Sequence, residues 1–224
     1  MIRLEKLGKT FRTEEVETIA LQDIDLQVGK GEFVAIMGPS GCGKSTLLNI
    51  IGLLDNPTVG KFHLNGQEVS RLRENERTEL RKGTIGFVFQ SFNLIDELTV
   101  WENVELPLTY MHIPTKERKE KVKEILQRMK ISHRAGHFPQ QLSGGQQQRV
   151  AIARALTSSA PIILADEPTG NLDSDTASEI IDILKARAKE RNKCVIVVTH
   201  SKEVADAADV VYELKDKKLK KRGK

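Results

Sequence analysis

A glycine-rich segment, Gly38-Pro-Ser-Gly-Cys-Gly-Lys-Ser-Thr46, has the residue types and spacing that suit phosphate binding. A strand-like segment, 32–37, which is apolar after Glu32, precedes it and an apolar-periodic stretch, 44–51, follows it. The sequence therefore predicts a strand, a tight loop and a helix in that order. Glycine lets successive backbone N–H groups converge on phosphate oxygens, and the start of a helix adds a positive dipole end. This is the context of a nucleotide-binding P-loop.

Two side chains of this loop have distinct predicted roles. Lys44 has the length and charge to reach the β and γ phosphates of a nucleotide, and the Ser45 hydroxyl can bind Mg²⁺. A chance glycine turn is the alternative, and the flanking strand and helix argue against it. The predicted phosphate-binding residues are Gly38, Pro39, Ser40, Gly41, Cys42, Gly43, Lys44, Ser45 and Thr46.

A second glycine-rich segment, Leu142-Ser-Gly-Gly-Gln-Gln-Gln-Arg149, opens a predicted helix but contains no lysine. Small residues leave the first N–H groups of a helix accessible, so this helix start is a predicted anion site. The predicted anion-binding residues are Ser143, Gly144, Gly145 and Gln146. Without a lysine of its own the segment resembles half of a site, which indicates that it completes the nucleotide pocket of another molecule.

A pair of carboxylates, Asp166 and Glu167, ends the apolar run 162–165. Parallel strands bind ligands at their carboxyl edge, so both side chains are expected there. Asp166 is the predicted partner of Mg²⁺, and Glu167 is the predicted general base that polarises the attacking water. Acidic pairs after a strand are also common as solvated turns, and here the P-loop favours catalysis.

The charge distribution argues against nucleic acid as a partner. The formal net charge is +4, but residues 215–224 hold seven basic residues and one acidic residue, which leaves the rest of the chain slightly acidic. Few aromatic residues accompany this basic segment, so stacking platforms for bases are missing. It is predicted to be a solvated, frayed terminus, and contact with anionic lipid headgroups is the alternative.

Hydrophobic runs are too short to cross a bilayer, and residues 1–6 alternate like a strand rather than forming a signal peptide, so a cytoplasmic location is expected. The patterns predict an α/β protein in which a helical segment, about 91–160, is inserted. A helix capped by Thr99 and a charged helix from Pro114 onward are expected within it.

The P-loop and the second glycine segment together resemble the signature motifs of ABC transporter ATPases, and the resemblance covers nearly the whole chain. It implies an α/β P-loop NTPase core with a mixed sheet, an N-terminal antiparallel β part and a helical subdomain. It implies a single domain, 1–224, with its core in 1–90 and 161–214, the helical subdomain in about 91–160 and the basic tail in 215–224. In that family the signature segment of one subunit closes over the γ-phosphate held by the P-loop of another, so a head-to-tail homodimer around two ATP molecules is expected.

The same resemblance implies further site residues. Gln90 is similar to the glutamine that senses Mg²⁺ and water and links to the membrane partner. Asp173 ends a segment, 168–173, similar to the D-loop, and His200 is similar to the switch histidine. Phe11 lies where the family has an adenine-stacking aromatic residue, often tyrosine, so it keeps the π face but lacks the hydroxyl. ATP and Mg²⁺ are the implied cofactors.

Segments 87–95, 102–108 and 142–155 resemble the macrolide-export and lipoprotein-release branch, as does a polar loop predicted over 12–20. The branch implies an integral membrane permease as partner, with a periplasmic-adaptor-type protein as a further candidate, and a place on the cytoplasmic face of the membrane. Export of an antibiotic, antimicrobial peptide or lipoprotein is the expected function. The alternative is an ABC ATPase that drives a cell-wall or division complex without transport.

Overall fold

The computed structural model describes residues 1–13, 15–190 and 192–222. The strands are β1 (Ile2–Arg12), β2 (Glu17–Val28), β3 (Phe33–Met37), β4 (Val59–Leu64), β5 (Gln67–Glu68), β6 (Ile85–Val88), β7 (Ile162–Asp166), β8 (Cys194–Thr199), β9 (Val210–Lys215) and β10 (Lys218–Lys221). The helices are α1 (Lys44–Ile51), α2 (Glu74–Arg81), α3 (Val100–Tyr110), α4 (Thr115–Arg128), α5 (Gly144–Thr157), α6 (Ser174–Lys189) and α7 (Lys202–Ala207). None of the helices within the described ranges combines the length and the apolar character needed to cross a membrane.

The chain forms two compact units, one of Met1–Arg81 with the chain from Leu184 onward and the other of Lys82–Ile183. The first unit contains an antiparallel sheet in the order β2-β1-β4-β5. It also contains a mixed group of strands, in which β3 lies between β8 and β9 in parallel and β10 pairs with β9 antiparallel. The predicted mixed sheet and N-terminal antiparallel part are therefore confirmed.

Burial explains why β3 and β8 occupy the interior of that group. Phe33 to Ile36 and all of β8 are buried, and such unbroken apolar runs are typical of parallel strands covered on both faces. Helix α1 begins at Lys44 and ends at Ile51, as predicted, and it contacts β2 and β8. The strand, loop and helix of the predicted P-loop thus follow one another along the chain.

The second unit contains the parallel pair β6–β7 and the mutually packed helices α3, α4 and α5. Strand β6 lies directly against α5 at Gly86, where an added Cβ would be 2.4 Å from the carbonyl oxygen of Ala155. Any larger residue at 86 would push the strand away from the helix. The helical character predicted for residues 91–160 is confirmed by α3, α4 and α5.

Helix α3 begins at the predicted cap, Thr99. Its hydroxyl accepts a hydrogen bond from the Glu102 N–H at 3.3 Å, and the Glu102 carboxylate accepts one from the Thr99 N–H at 2.8 Å. This reciprocal capping box satisfies donors that a helix start leaves without partners. The Glu102 carboxylate accepts hydrogen bonds from the Thr99 hydroxyl and from the Thr99 N–H. Both bonds lower the pKa of the Glu102 carboxyl, and the bond from the hydroxyl has the larger effect.

Two sequence predictions are wrong. The terminus is not frayed over 215–222, because β10 pairs with β9 and the Arg222 N–H donates to the carbonyl of Val211 at 2.8 Å; residues 223 and 224 lie outside the described part. The polar loop predicted over 12–20 is shorter, since Arg12 belongs to β1 and β2 begins at Glu17. Cross-strand pairing holds these polar stretches as strands although they lack apolar alternation.

Helices α2 and α7 were not predicted, and α2 has no buried residue that could have marked it.

The domain boundaries derived from the sequence divide the chain at other points than the two compact units and stay a prediction.

Replacement of Asn103 by leucine is expected to destabilise the second unit. The buried Asn103 amide donates to the carbonyls of Ile95, Leu98 and Thr99 at 3.0 to 3.1 Å and accepts from the Ile95 N–H at 2.8 Å. Leucine would leave these backbone groups unpaired, so urea denaturation should give a free energy of unfolding about 2–3 kcal/mol lower. The exposed Gln127 is the control, and a Gln127→Leu change of similar size would contradict this account.

Candidate active site

The P-loop lies in the first unit, and its shape depends on two glycines. A Cβ at Gly38 would be 2.4 Å from the carbonyl oxygen of Leu214, at the end of β9. Gly43 has φ +104°, and a Cβ there would be 2.7 Å from the carbonyl oxygen of Ala20 in β2. The loop therefore touches the backbone of two neighbouring strands, which only glycine permits.

Lys44 is folded back over the loop. Its side chain is 9% exposed, and Nζ donates to the carbonyl oxygens of Gly38 at 2.8 Å and Pro39 at 2.9 Å. The ammonium group is thus already desolvated and held at the mouth of the loop. A phosphate placed there would receive a charge-assisted hydrogen bond from a cation that needs little further ordering.

A cleft of about 680 Å³ adjoins the P-loop and includes Phe11 and residues 39–46 among its walls. The Phe11 ring is 45% exposed, and the ammonium of Lys9 lies 5.0 Å from its centroid. The resemblance implies that Phe11 stacks on the adenine, and in the structure Phe11 lines the same cleft as the P-loop. The aromatic face and the cradle are therefore available to one ligand.

The same cleft is lined by residues 215–217, which the sequence had assigned to the tail. Asp216 and Lys217 form the tight turn between β9 and β10, with φ of +49° and +65°. The Gln22 N–H in β2 donates to the Lys217 carbonyl at 2.8 Å and anchors the turn. Two-residue hairpin turns usually contain a glycine, as in Asn-Gly or Asp-Gly, and the pair Asp216-Lys217 has none, so no local signal marks this turn in the sequence.

His200 follows β8 in the first unit. The register pairs Met37 with Thr199, so His200 and Gly38 continue two adjacent parallel strands at the same edge. The imidazole is exposed. It lies directly after the buried strand β8, and its role as the switch histidine stays a prediction.

The second unit holds the carboxylates. Asp166 is the last residue of β7, and the parallel register pairs Ala165 with Val88, the last residue of β6. Asp166 and Gln90 therefore lie at the same edge of two adjacent strands. Glu167 has φ +43°, a left-handed conformation that is rare for a residue with a side chain. The Gly170 N–H donates to the Glu167 carbonyl at 3.1 Å and closes a tight turn around it.

The segment after this turn lies against Gln90. A Cβ at Gly170 would be 3.3 Å from Gln90 Nε2, and Asn171 Nδ2 donates to the Gln90 carbonyl at 3.5 Å. The predicted D-loop and Gln90 are therefore neighbours. Oxygen donors suit Mg²⁺, so the Asp166 carboxylate and the Gln90 amide oxygen in this unit, and the Ser45 hydroxyl in the other, have the right chemistry for the ion.

The signature segment forms the start of α5. The Ser143 hydroxyl accepts from the Gln146 N–H at 3.4 Å, and the Gln146 amide oxygen accepts from the Ser143 N–H at 3.1 Å. Gly145 approaches Thr176, whose Cγ2 would lie 3.1 Å from an added Cβ. Ser143 is exposed, so the helix start is open to an anion.

Asp173 ends the D-loop and is exposed. It accepts a hydrogen bond from the Thr176 N–H at 3.0 Å, and this bond, with one from the Thr176 hydroxyl, lowers the pKa of the Asp173 carboxyl. The residue therefore carries a negative charge throughout the neutral range.

The predicted site residues fall into two groups, one in each compact unit. The first unit brings together Phe11, the P-loop and the edge that carries His200. The second unit brings together Gln90, Asp166, Glu167, the D-loop and the signature segment. Each group has partial chemistry: one has a cation and backbone donors for phosphate, and the other has carboxylates for a metal and a water molecule.

Several known proteins are similar to this chain. A family model described as "ABC transporter" matches residues 21–170. The macrolide export ATP-binding/permease protein MacB of Brucella melitensis is 49% identical over 216 residues, which cover 96% of this chain and 33% of that protein. An ABC transporter ATP-binding protein of Methanocaldococcus jannaschii, MJ0796, is 48% identical over 228 residues, which cover 100% of this chain and 97% of that protein. The chain thus spans about a third of the length of the macrolide export relative.

A solved structure is also similar. The dimeric structure of a post-hydrolysis state of the ATP-binding cassette MJ0796 bound to ADP and Pi has a TM-score of 0.92 and 46% sequence identity, and the match covers 100% of each chain. A second dimeric structure of MJ0796 has a TM-score of 0.92 and 47% identity.

The two cysteines are expected to differ in reactivity. Cys42 lies in the P-loop and is partly exposed, whereas burial raises the pKa of the Cys194 thiol to about 12. Iodoacetamide at mildly alkaline pH should therefore label Cys42 in the folded chain and spare Cys194, and ATP should slow the labelling of Cys42. Peptide mass spectrometry measures both. Labelling of Cys194 without denaturant, or a rate at Cys42 that ATP leaves unchanged, would contradict the assignment.

Proposed function

Because the chain belongs to the ABC transporter family and is an ATPase of that family, we propose that two copies dimerise head to tail around two ATP molecules. Each ATP would lie between the P-loop of one copy and the signature segment of its twin. The observation that carries this proposal is the division of the site. The P-loop has Lys44 and a cleft, whereas the exposed start of α5 has donors but no lysine in its loop.

The P-loop would bind the triphosphate through its backbone N–H groups and through Lys44, which exchanges its two carbonyl acceptors for phosphate oxygens. Phe11 would stack on the adenine, since its ring is exposed in the same cleft. Mg²⁺, held by Ser45, Gln90 and Asp166, would neutralise part of the phosphate charge.

Hydrolysis would depend on Glu167 and His200. Glu167 accepts a proton from the attacking water and so makes it a better nucleophile. His200 would contact the γ-phosphate and register its loss. Across the interface, Ser143 and the glycines of α5 would bind the γ-phosphate oxygens, and Asp173 would place the D-loop beside the twin.

The γ-phosphate would thereby hold the dimer closed, and its loss would let the dimer open. Binding of ATP favours one state and hydrolysis the other, so the cycle delivers a mechanical stroke. The similar cassette MJ0796 is a dimer in a post-hydrolysis state with ADP and Pi bound, which supports the dimer, and in the proposed cycle the opening would follow the release of Pi.

The stroke would act on an integral membrane permease that holds this chain at the cytoplasmic face of the membrane. The similar macrolide export protein is named as both ATP-binding protein and permease, and this chain matches one third of it. Export is the proposed function, and the name of that relative supports a macrolide antibiotic as the cargo. An antimicrobial peptide or a lipoprotein as the cargo, and a periplasmic-adaptor-type protein as a further partner, are proposed from the motif resemblance alone.

Substitution of Glu167 by glutamine tests the closed dimer. Glutamine keeps the size of the side chain but cannot accept the proton, so hydrolysis should fall by about 100-fold or more and the ATP-bound dimer should accumulate. Size-exclusion chromatography with ATP should show a dimer.

Matched variants separate the two halves of the site. In the Glu167→Gln background, Ser143→Arg should give a monomer that still binds ATP with unchanged affinity, because the P-loop is intact. Lys44→Ala in the same background should give a monomer with weakened ATP binding. A Glu167→Gln chain that binds ATP but remains monomeric would refute the proposed dimer.

Export is tested in the organism of origin. Deletion of the gene should increase susceptibility to the exported compounds, and macrolides are the first to measure. The native gene should restore resistance on a plasmid, whereas the Lys44→Ala gene should not, because the permease lacks its energy source. Unchanged susceptibility to macrolides, antimicrobial peptides and globomycin-like inhibitors of lipoprotein processing would count against export.

A further inference from the structure

Gln148 is a buried amide on α5 whose bonding is unusual. The side chain is 1% exposed, and its Nε2 donates to the carbonyl oxygen of Pro168 at 2.6 Å. Its Oε1 has no hydrogen-bond partner within the described residues. A half-satisfied buried amide adds little stability, since an apolar side chain of similar size would be buried at lower cost. The bond to Pro168 is therefore the feature that calls for an explanation.

Pro168 follows Glu167, the residue with φ +43°. A left-handed conformation is unfavourable for a residue with a Cβ, and a following proline restricts the backbone of that residue further. Such a conformation persists only where neighbouring groups hold it. Two hydrogen bonds to consecutive carbonyl groups hold the backbone here. The Gly170 N–H donates to the Glu167 carbonyl at 3.1 Å, and the Gln148 side chain donates to the Pro168 carbonyl.

We propose that Gln148 is a positioning residue, which holds the Pro168 carbonyl and so fixes the direction of the Glu167 carboxylate. The inference rests on the proposed role of Glu167 as the general base. Gln148 would not touch ATP or the water molecule. It acts through the backbone of Glu167 and Pro168, which both lie in the second unit.

The same bond connects two parts of the cycle. Gln148 lies on the first turns of α5, the helix whose start carries the signature segment, Ser143 to Gln146. A helix moves as a rigid element, so a shift of its start when the signature segment engages the twin's ATP would reach Pro168 through this amide. Closure on one nucleotide would thereby orient the base that acts on the other. Every residue of this connection lies in the second unit.

Kinetics of Gln148→Met test the proposal. Methionine has a similar length and lacks the donor, so kcat should fall about 10-fold while KM for ATP stays within about 2-fold, because the P-loop is not altered. Gln148→Leu is the second variant if methionine prevents folding. Asn103→Leu is the matched control, since it also removes a buried amide that donates to backbone carbonyls in this unit, and the groups it bonds are in residues 95–99 rather than in the segment 166–173.

The control should lower the urea midpoint at least as much as Gln148→Met does, and its kcat should not change. Equal loss of kcat in both variants at matched stability would overturn the proposal, because general loosening of the unit would then account for the effect.

A double-mutant cycle identifies the group through which Gln148 acts. Single-turnover rates are measured for the native chain, Gln148→Met, Glu167→Gln and the double variant. If Gln148 acts through Glu167, its substitution should lower the residual rate of Glu167→Gln by less than about 2-fold. A full 10-fold loss in that background would overturn the positioning role.

Failure of the underlying function is recognised separately. A Glu167→Gln chain that hydrolyses ATP at the native rate would refute the assignment of the base, whatever Gln148→Met does. If Glu167→Gln is slow, and Gln148→Met lowers the rate of that variant as much as it lowers the native rate, Glu167 remains the general base and only the role of Gln148 is refuted.

Discussion

The closeness of the P-loop to the backbones of its neighbours is the constraint on which the first unit depends. The loop passes so near the carbonyls of Leu214 and Ala20 that a methyl group at Gly38 or Gly43 would overlap them. Strand β3 must therefore lie in register with β9, and α1 must begin beside β2, for the loop to form at all. Burial of β3 on both faces holds the strand inside the sheet, between β8 and β9. The phosphate site is thus a consequence of sheet packing.

Helix α5 has the comparable position in the second unit. Near its start, Gln148 binds the carbonyl of Pro168, and near its end the guanidinium of Arg154 donates to the carbonyls of Phe92 and Asn93. Phe92 and Asn93 have positive φ, as Glu167 does. Burial lowers the pKa of Arg154, yet a guanidinium keeps its charge, so it remains a strong donor at this position. Helix α5 therefore bonds both segments with positive φ, the one at Glu167 and the one at Phe92 and Asn93, which lies just after Gln90.

Local sequence patterns were sufficient for some of these elements and insufficient for others. The bounds of α1 and the cap at Thr99 follow from residues within a few positions, and the prediction was right in both cases. The hairpin of β9 and β10 could not be recognised, because pairing and a contact between Gln22 and Lys217 stabilise it rather than apolar alternation. Likewise the Gln148–Pro168 hydrogen bond could not be predicted, because it joins residues 20 positions apart. The left-handed φ of Glu167 could not be predicted either, because the residue is not a glycine.

The glycine at 145 has two physical roles that the sequence motif does not separate. A helix start leaves its first N–H groups without helical partners, and a residue without a side chain keeps them open to an anion. The same absence of a side chain lets α5 approach Thr176, where a Cβ would lie 3.1 Å from Cγ2. Thr176 in turn donates to Asp173 and fixes the end of the D-loop. Alanine at 145 would require the Thr176 methyl group to shift by a few tenths of an ångström, so the residue that bonds the end of the D-loop also limits how closely α5 can approach.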